Sequence, residues 1–579
     1  MSDALTLFGT TSQPAPQEVL GVAGLSFTLE VGALRHIMVN GVEGIRGIAF
    51  LVRDRDWGTL DPQITDQVID QNDDQISIAY HARYTSHGTM LDVDIRISAS
   101  AKGLTMSASG YATGAFETNR AGFTVLHPIR GVAGAPVQVT HSDGSIEDSV
   151  FPYLIAPWQP FMDIAALTHQ AGEMLVSCRF DGDTFEMEDQ RQWGDASYKT
   201  YNRPLALPWP YEIADGDRVE QAVHLTWTPS DKPAYQRPQI SLPPARFPQM
   251  ALVITPHDAQ RLIDHPDDLE VIRPQRLLCH LDATLGDVEA QIEAFVLAQM
   301  SCFQTHFDLE FICDGSDDMQ AELVELSAYI DFARFAPDSV LICPSVDRQS
   351  TPPGSEWPAC PPLEEIHTFA GEVFPDMLHG GGMVSLFTEF NRKRPPVELL
   401  DFVSHGLCPI VHAADDVSVM ETLEAIPHIT RSVRAIIGTK PYRIGPATIA
   451  MRQNPYGSRT IPNPHQHRLC MTDDDPRHHA QFGAAYVIGL ATALANANVE
   501  VWTPAALYGP RGVIGAGEAY PLATPLRTLA SLAGKRVYRA DIKDGIAHLE
   551  VGSAVLRANL TPQANGLLSP YGWSLTQRA

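Results

Sequence analysis

Acids, imidazoles and amides recur at the ends of apolar runs in the second half of this chain, and those ends are where chemistry is expected. In RLLCHLDA (276–283), His280 and Asp282 alternate with leucines. In FQTHFDLEFIC (303–313), His306, Asp308 and Glu310 are spaced by two, on one face of a strand. Three ionisable groups along one side of a buried strand are costly unless that side meets a wet pocket or a paired network. Further on come Asp347, then Glu389 with Asn391, His412 with Asp415 and Asp416, Arg452 with Asn454, and Trp502. Each has a plainer structural reading. His280 suits a core histidine, Asp282 and Asp415 suit caps, and Glu389 has Arg392, Lys393 and Arg394 close by for a salt bridge.

Three reaction classes fit such a set. Glycoside hydrolysis needs two carboxylates at a fixed separation across a sugar. Glu389 suits the acid, but Arg452 and Asn454 stand where a late-strand partner is expected. Metal-assisted hydrolysis is suggested by the His-x-Asp spacings, although HExxH is absent. Metal-free hydrolysis of an activated ester needs only a base for water and donors for the oxyanion. No GxSxG elbow is present to supply a serine nucleophile.

The elements that must position these groups alternate. Apolar runs at 276–283, 303–313, 339–346, 382–391, 407–415, 442–451 and 499–504 are separated by helical patterns, including 287–300, 319–333, 362–374, 419–438 and 478–497. That alternation predicts a (β/α)8 TIM-type barrel, whose strand tips carry the active site. Seven strands are assigned this way, and the eighth is unplaced. An open doubly wound sheet is the runner-up. No phosphate-binding glycine motif follows a strand, and GGGM (380–383) reads as a turn.

Residues 1–245 carry short alternating runs such as LSFTLEVG (25–32), LDVDIRISAS (91–100) and QAVHLTW (221–227) without helices between them. They predict an N-terminal antiparallel β-sandwich. A Pro-rich connector at 229–248 marks the boundary, so the barrel is expected over 246–533. Residues 534–579 return to β and are expected to complete the sandwich. The whole is thus α/β plus all-β.

The chain has 579 residues, 69 acidic against 41 basic, and a formal net charge of −28. Such a charge repels nucleic acid and anionic lipid. No apolar run is long enough to span a membrane, and the first residues lack a basic, apolar leader pattern. Eight cysteines form no CxxC pair and read as buried thiols of a reducing cytoplasm. A small uncharged ligand is the expected partner. No cofactor is called for, and the oligomeric state is left open.

Four segments carry a resemblance: IAFLVRDRDWGT (48–59), EDQRQWGDASYKTYNRPLALPWPY (188–211), SLFTEFNRKRP (385–395) and VEVWTPAALYGPRG (499–512). The sequence resembles the D-apionate lactonase family along nearly its whole length. The resemblance implies cytosolic hydrolysis of D-apionolactone to D-apionate. It brings no residue roles, so the site rests on the strand-tip argument. Glu389 is expected as general acid or base, supported by Asp308 and His412. Asp282, His306, Glu310, Asn391, Arg452, Asn454 and Trp502 are expected around the substrate. Glu188 and Trp193 either wall the site or join a buried charged network with Asp189, Arg191 and Lys199, and Arg53–Trp57 pose the same question. No metal ligand is assigned. The alternative reading is an exo-acting glycoside hydrolase.

Overall fold

The computed structural model describes residues 2–55, 57–235, 245–302, 304–315, 318–457 and 459–578. Asp56 and residues 236–244 of the expected connector lie outside the described residues. The chain divides into two compact units. One holds residues 14–191 and 196–240; the other holds 1–13, 192–195 and 241–579.

The first unit holds a 16-stranded antiparallel sheet and a small two-stranded one, Phe116–Thr118 with Tyr211–Ile213. Its long strands alternate buried and exposed residues, as Gln75–Ser86 does throughout. A single apolar core runs from Leu20 to Leu225, so the sheet curls until its two halves face one another. Two tyrosines pin the closure: Tyr80 donates to the Gly32 carbonyl at 2.6 Å and Tyr84 to the Phe50 carbonyl at 3.0 Å.

The second unit contains a closed parallel barrel. Its strands are β1 (Gln249–Ile254), β2 (Arg276–Asp282), β3 (His306–Cys313), β4 (Ser339–Pro344), β5 (Leu378–Leu386), β6 (Phe402–Leu407), β7 (Tyr442–Ala447) and β8 (Val501–Tyr508). Each neighbouring pair is parallel, and β8 closes onto β1 with Leu252 opposite Ala505. Outer helices follow the strands and are capped by the residue types that favour helix starts. Thr255 and Asp258 form a reciprocal capping box, and Asp287 and Asp318 cap the next two helices.

Three local expectations change. The unplaced strand is β1, where five apolar residues follow the connector with no period to reveal them. The fifth expected strand, 407–415, shares only Leu407 with β6 and is otherwise the loop after it. The GGG run is not a turn but the interior of β5. A Cβ on Gly380 would lie 2.2 Å from the Phe402 ring, and one on Gly382, at φ +124°, 2.1 Å from the Ser404 carbonyl. Only glycine lets β5 lie this close to β6.

The placement of the C-terminal strands is also corrected. Val537–Lys543, Ile546–Val551, Ala554–Asn559 and Trp573–Gln577 form a four-stranded sheet of their own, rather than adding to the N-terminal one. It packs on the barrel helix Gln481–Leu494. Twelve of that helix's 14 residues are buried, because it is covered on its outer side as well.

Candidate active site

A cavity of about 930 Å³ opens at the C-terminal ends of the barrel strands. Its wall is drawn from the ends of β1, β2, β4, β7 and β8, through His257, Asp258, His280, Asp282, Arg348, Arg452, Asn454, Tyr508 and Arg511 among others. This is the face on which a parallel barrel gathers loops of independent origin, and so the face that can be specialised chemically.

Parallel register builds the centre of the site. His280 of β2 is the direct pairing partner of Glu310 of β3, and both side chains point inward. His280 donates from Nδ1 to Glu310 Oε1 at 2.7 Å. From the loop after β7, Arg452 donates from Nη1 to the same oxygen at 2.6 Å and from Nη2 to the Val384 carbonyl at 2.5 Å. Glu310 is fully buried. Burial alone would raise its carboxyl, but the Arg452 charge and the His280 hydrogen bond outweigh it and bring it to about 2. Glu310 is therefore an anion at any neutral pH. An ionised carboxylate on Nδ1 fixes the proton there and leaves the lone pair on Nε2, the nitrogen free to act as a base.

The other cavity acids are engaged. Asp282 accepts from Arg348 at 2.7 Å and caps Thr284. Asp258 accepts from the Thr255 amide and hydroxyl, both at 2.9 Å. Among the described residues, no group of three His, Cys, Asp or Glu side chains is arranged to hold a metal ion.

Family models match nearly the whole chain: the D-apionate lactonase N-terminal domain over residues 5–230 and the D-apionate lactonase TIM barrel domain over 250–534. The chain belongs to the D-apionate lactonase family. It is 46% identical over 552 residues to the D-apionate lactonase of Brucella anthropi, covering 92% of this chain and 90% of the relative. Solved structures similar to it include an alpha-galactosidase from Lactobacillus brevis, with TM-score 0.25, 10% identity, and 95% of this chain against 90% of that one. A putative aldose 1-epimerase from Escherichia coli K12 gives TM-score 0.25 and 10% identity over 37% of this chain and 99% of that one.

Within this lactonase-family barrel, the expected site residues separate into distinct neighbourhoods. Glu310, Arg452, Asp282 and Asn454 gather at the cavity. Asp308 does not. It lies at the opposite end of the strands, bonded to Arg276 at 2.8 Å, to Ser339 at 2.5 Å and to Arg443 at 3.3 Å. His306 begins β3 on the exposed side and pairs with Asp338. Trp502 is the second residue of β8, fully buried beside Phe247 at the same floor. Trp502 was expected at a strand tip because β8 runs on to Tyr508, beyond the apolar run at 499–504, whereas His306 and Asp308 stand at the start of β3 rather than at its end.

Glu389 and Asn391 are buried on the helix Phe387–Lys393, which begins where a strand was expected. Glu389 accepts from Ser350 at 2.5 Å and from Arg392 at 3.1 Å, and burial raises its carboxyl against those partners. His412 bonds Asp195 at 2.7 Å and Tyr456 at 3.2 Å. Trp193 packs on His412 and Tyr456, with ring centroids 5.5 and 5.4 Å away, and Arg392 covers it. Glu389 and His412 thus share a neighbourhood, but neither lines the cavity described above.

In the N-terminal unit, Glu188 pairs with Lys199, and Asp189 is locked to Arg191 beneath Tyr198, with both charges fully buried. Asp54 caps the turn that carries Trp57, which packs edge-on against Trp209. These are networks of the sheet itself.

Sequence reasoning passed over His280 as a catalytic group and missed Arg348, Asp258, Tyr508 and Arg511. Carrying β8 through Pro504 to Tyr508 would have placed GPRG (509–512) at a tip.

Proposed function

We propose that this protein hydrolyses a sugar-acid lactone, opening D-apionolactone to D-apionate, as a metal-free carboxylic-ester hydrolase. One observation carries the mechanism: a cavity histidine whose inner nitrogen is held by a buried glutamate that is ionised at neutral pH. His280 Nε2 takes a proton from water as the water oxygen adds to the lactone carbonyl carbon. The tetrahedral intermediate collapses with cleavage of the ring C–O bond, and the imidazolium returns its proton to the departing oxygen. The product acid then loses its proton to solvent. Glu310 keeps the imidazole in the useful tautomer and stabilises its cation, and Arg452 holds Glu310 in place. General base catalysis of this kind contributes on the order of 10²–10⁴ in rate.

The engagement of every cavity acid favours this over glycoside hydrolysis, which needs a carboxylate free to act as nucleophile or acid. The partner is a small neutral lactone, and the net charge of −28 disfavours nucleic acid. No helix of the described residues is long and apolar enough to cross a membrane. We infer a cytoplasmic enzyme, since the eight cysteines are not joined in disulfides, as a reducing compartment keeps them.

The test is direct. D-Apionolactone is incubated with purified protein at constant pH, and acid release is followed by titration. Release well above the buffer rate is expected, and a rate equal to buffer contradicts the proposal.

A further inference from the structure

The cavity holds a guanidinium that the mechanism above does not use. Arg348 is neutralised by Asp282 and Arg452 by Glu310. Arg511 lines the same cavity, and although the Asp473 and Asp258 charges reach it, no carboxylate of the described residues lies within ion-pair distance of it. Its contacts are main-chain carbonyls, Met451 at 3.2 Å and Asp473 at 3.4 Å, both from Nη1. Two carbonyls orient a guanidinium without cancelling its charge.

The backbone beneath it is fixed. The Gly512 amide donates to the Gly509 carbonyl at 2.9 Å, and the Ala506 amide to the Arg511 carbonyl at 2.8 Å. A Cβ on Gly512 would come within 2.4 Å of the Tyr508 backbone, so this turn tolerates only glycine there. Burial lowers the affinity of Arg511 for its proton and repulsion from Arg452 adds to that, while the more distant Asp473 and Asp258 charges only partly oppose it. A positive charge held partly desolvated and preorganised, with no carboxylate in direct contact, is suited to an incoming oxyanion.

We propose that Arg511 is the acyl-oxygen subsite. It receives the lactone carbonyl oxygen as that atom gains charge, and then the carboxylate of the product, for which its planar fork suits bidentate contact. The inference rests on the lactonase reading and names the group that would make the enzyme bind its own product.

Calorimetric titration of D-apionate into the wild-type protein, R511Q, R511K and R459Q tests it, with a melting curve for each variant. Wild type should bind. R511Q should bind at least tenfold more weakly, R511K between the two, and R459Q, which removes an exposed arginine that also lines the cavity, within twofold of wild type. Turnover of the lactone by R511Q should fall on the order of 10²-fold or more. If R511Q does not fold, R511K decides, and an affinity equal to wild type overturns the assignment. The assignment also fails if R511Q binds as wild type does, or if R459Q weakens binding as much as R511Q. A wild-type protein that hydrolyses the lactone under those outcomes leaves the lactonase reading standing. One that neither hydrolyses the lactone nor binds D-apionate overturns both.

Discussion

Glu310 Oε1 lies 2.7 Å from His280 Nδ1 because the two residues are register partners on adjacent parallel strands, and 2.6 Å from Arg452 Nη1 on the loop after β7. One buried carboxylate thereby joins three elements of the barrel and sets the tautomer of the histidine that faces the cavity.

The carboxyl of Glu310 sits at about 2, below its ordinary value of 4.5. A depressed carboxyl contributes stability that is complete above the unfolded value and is lost as pH falls through the folded one. E310Q should therefore melt at lower temperature than wild type at pH 7. The gap should narrow as pH falls from about 4.5 toward 2. Melting curves across that range check it, and a gap independent of pH contradicts it.

Asp308 anchors two arginines at the barrel floor. D308N leaves those guanidiniums partly unpaired, and breaking a buried pair of this kind costs about 3–5 kcal/mol. Denaturant unfolding should show that loss, whereas kcat of the folded enzyme should stay within about threefold of wild type, as expected of a group outside the site. A kcat loss of 100-fold without destabilisation would return Asp308 to the chemistry.

Gly382 places its Cα hydrogen against the Ser404 carbonyl of β6 at a backbone angle that side chains rarely adopt. G382A should destabilise the barrel by about 1–3 kcal/mol or more through overpacking and strain. Unfolding midpoints measure this, and a variant as stable as wild type would show that β5 and β6 can separate without cost.

These assignments also show what periodicity can carry. The alternation of apolar runs and amphipathic helices was enough for a barrel, and the spacing of His306, Asp308 and Glu310 correctly implied one strand face. It did not say where along the strand the floor ends and the mouth begins. Asp308 and Glu310 are two residues apart, yet one is consumed by Arg276 and Arg443 and the other reaches His280. Nothing local distinguishes them, since their partners come from strands far away in sequence. Glu389 was misplaced for a different reason. SLFTEFN has the apolar content of a strand, but the chain turns into a helix at Phe387. Trp193 lies far from 412 and 456 in sequence, and its contacts with His412 and Tyr456 have no sequence signal at all.

His280 acts as the base of the reaction. Steady-state hydrolysis of D-apionolactone by H280N, with its fold verified by circular dichroism, tests it most directly. In H280N kcat should fall on the order of 10²–10⁴, with KM changed by less than about fivefold. A kcat within threefold of wild type would contradict it.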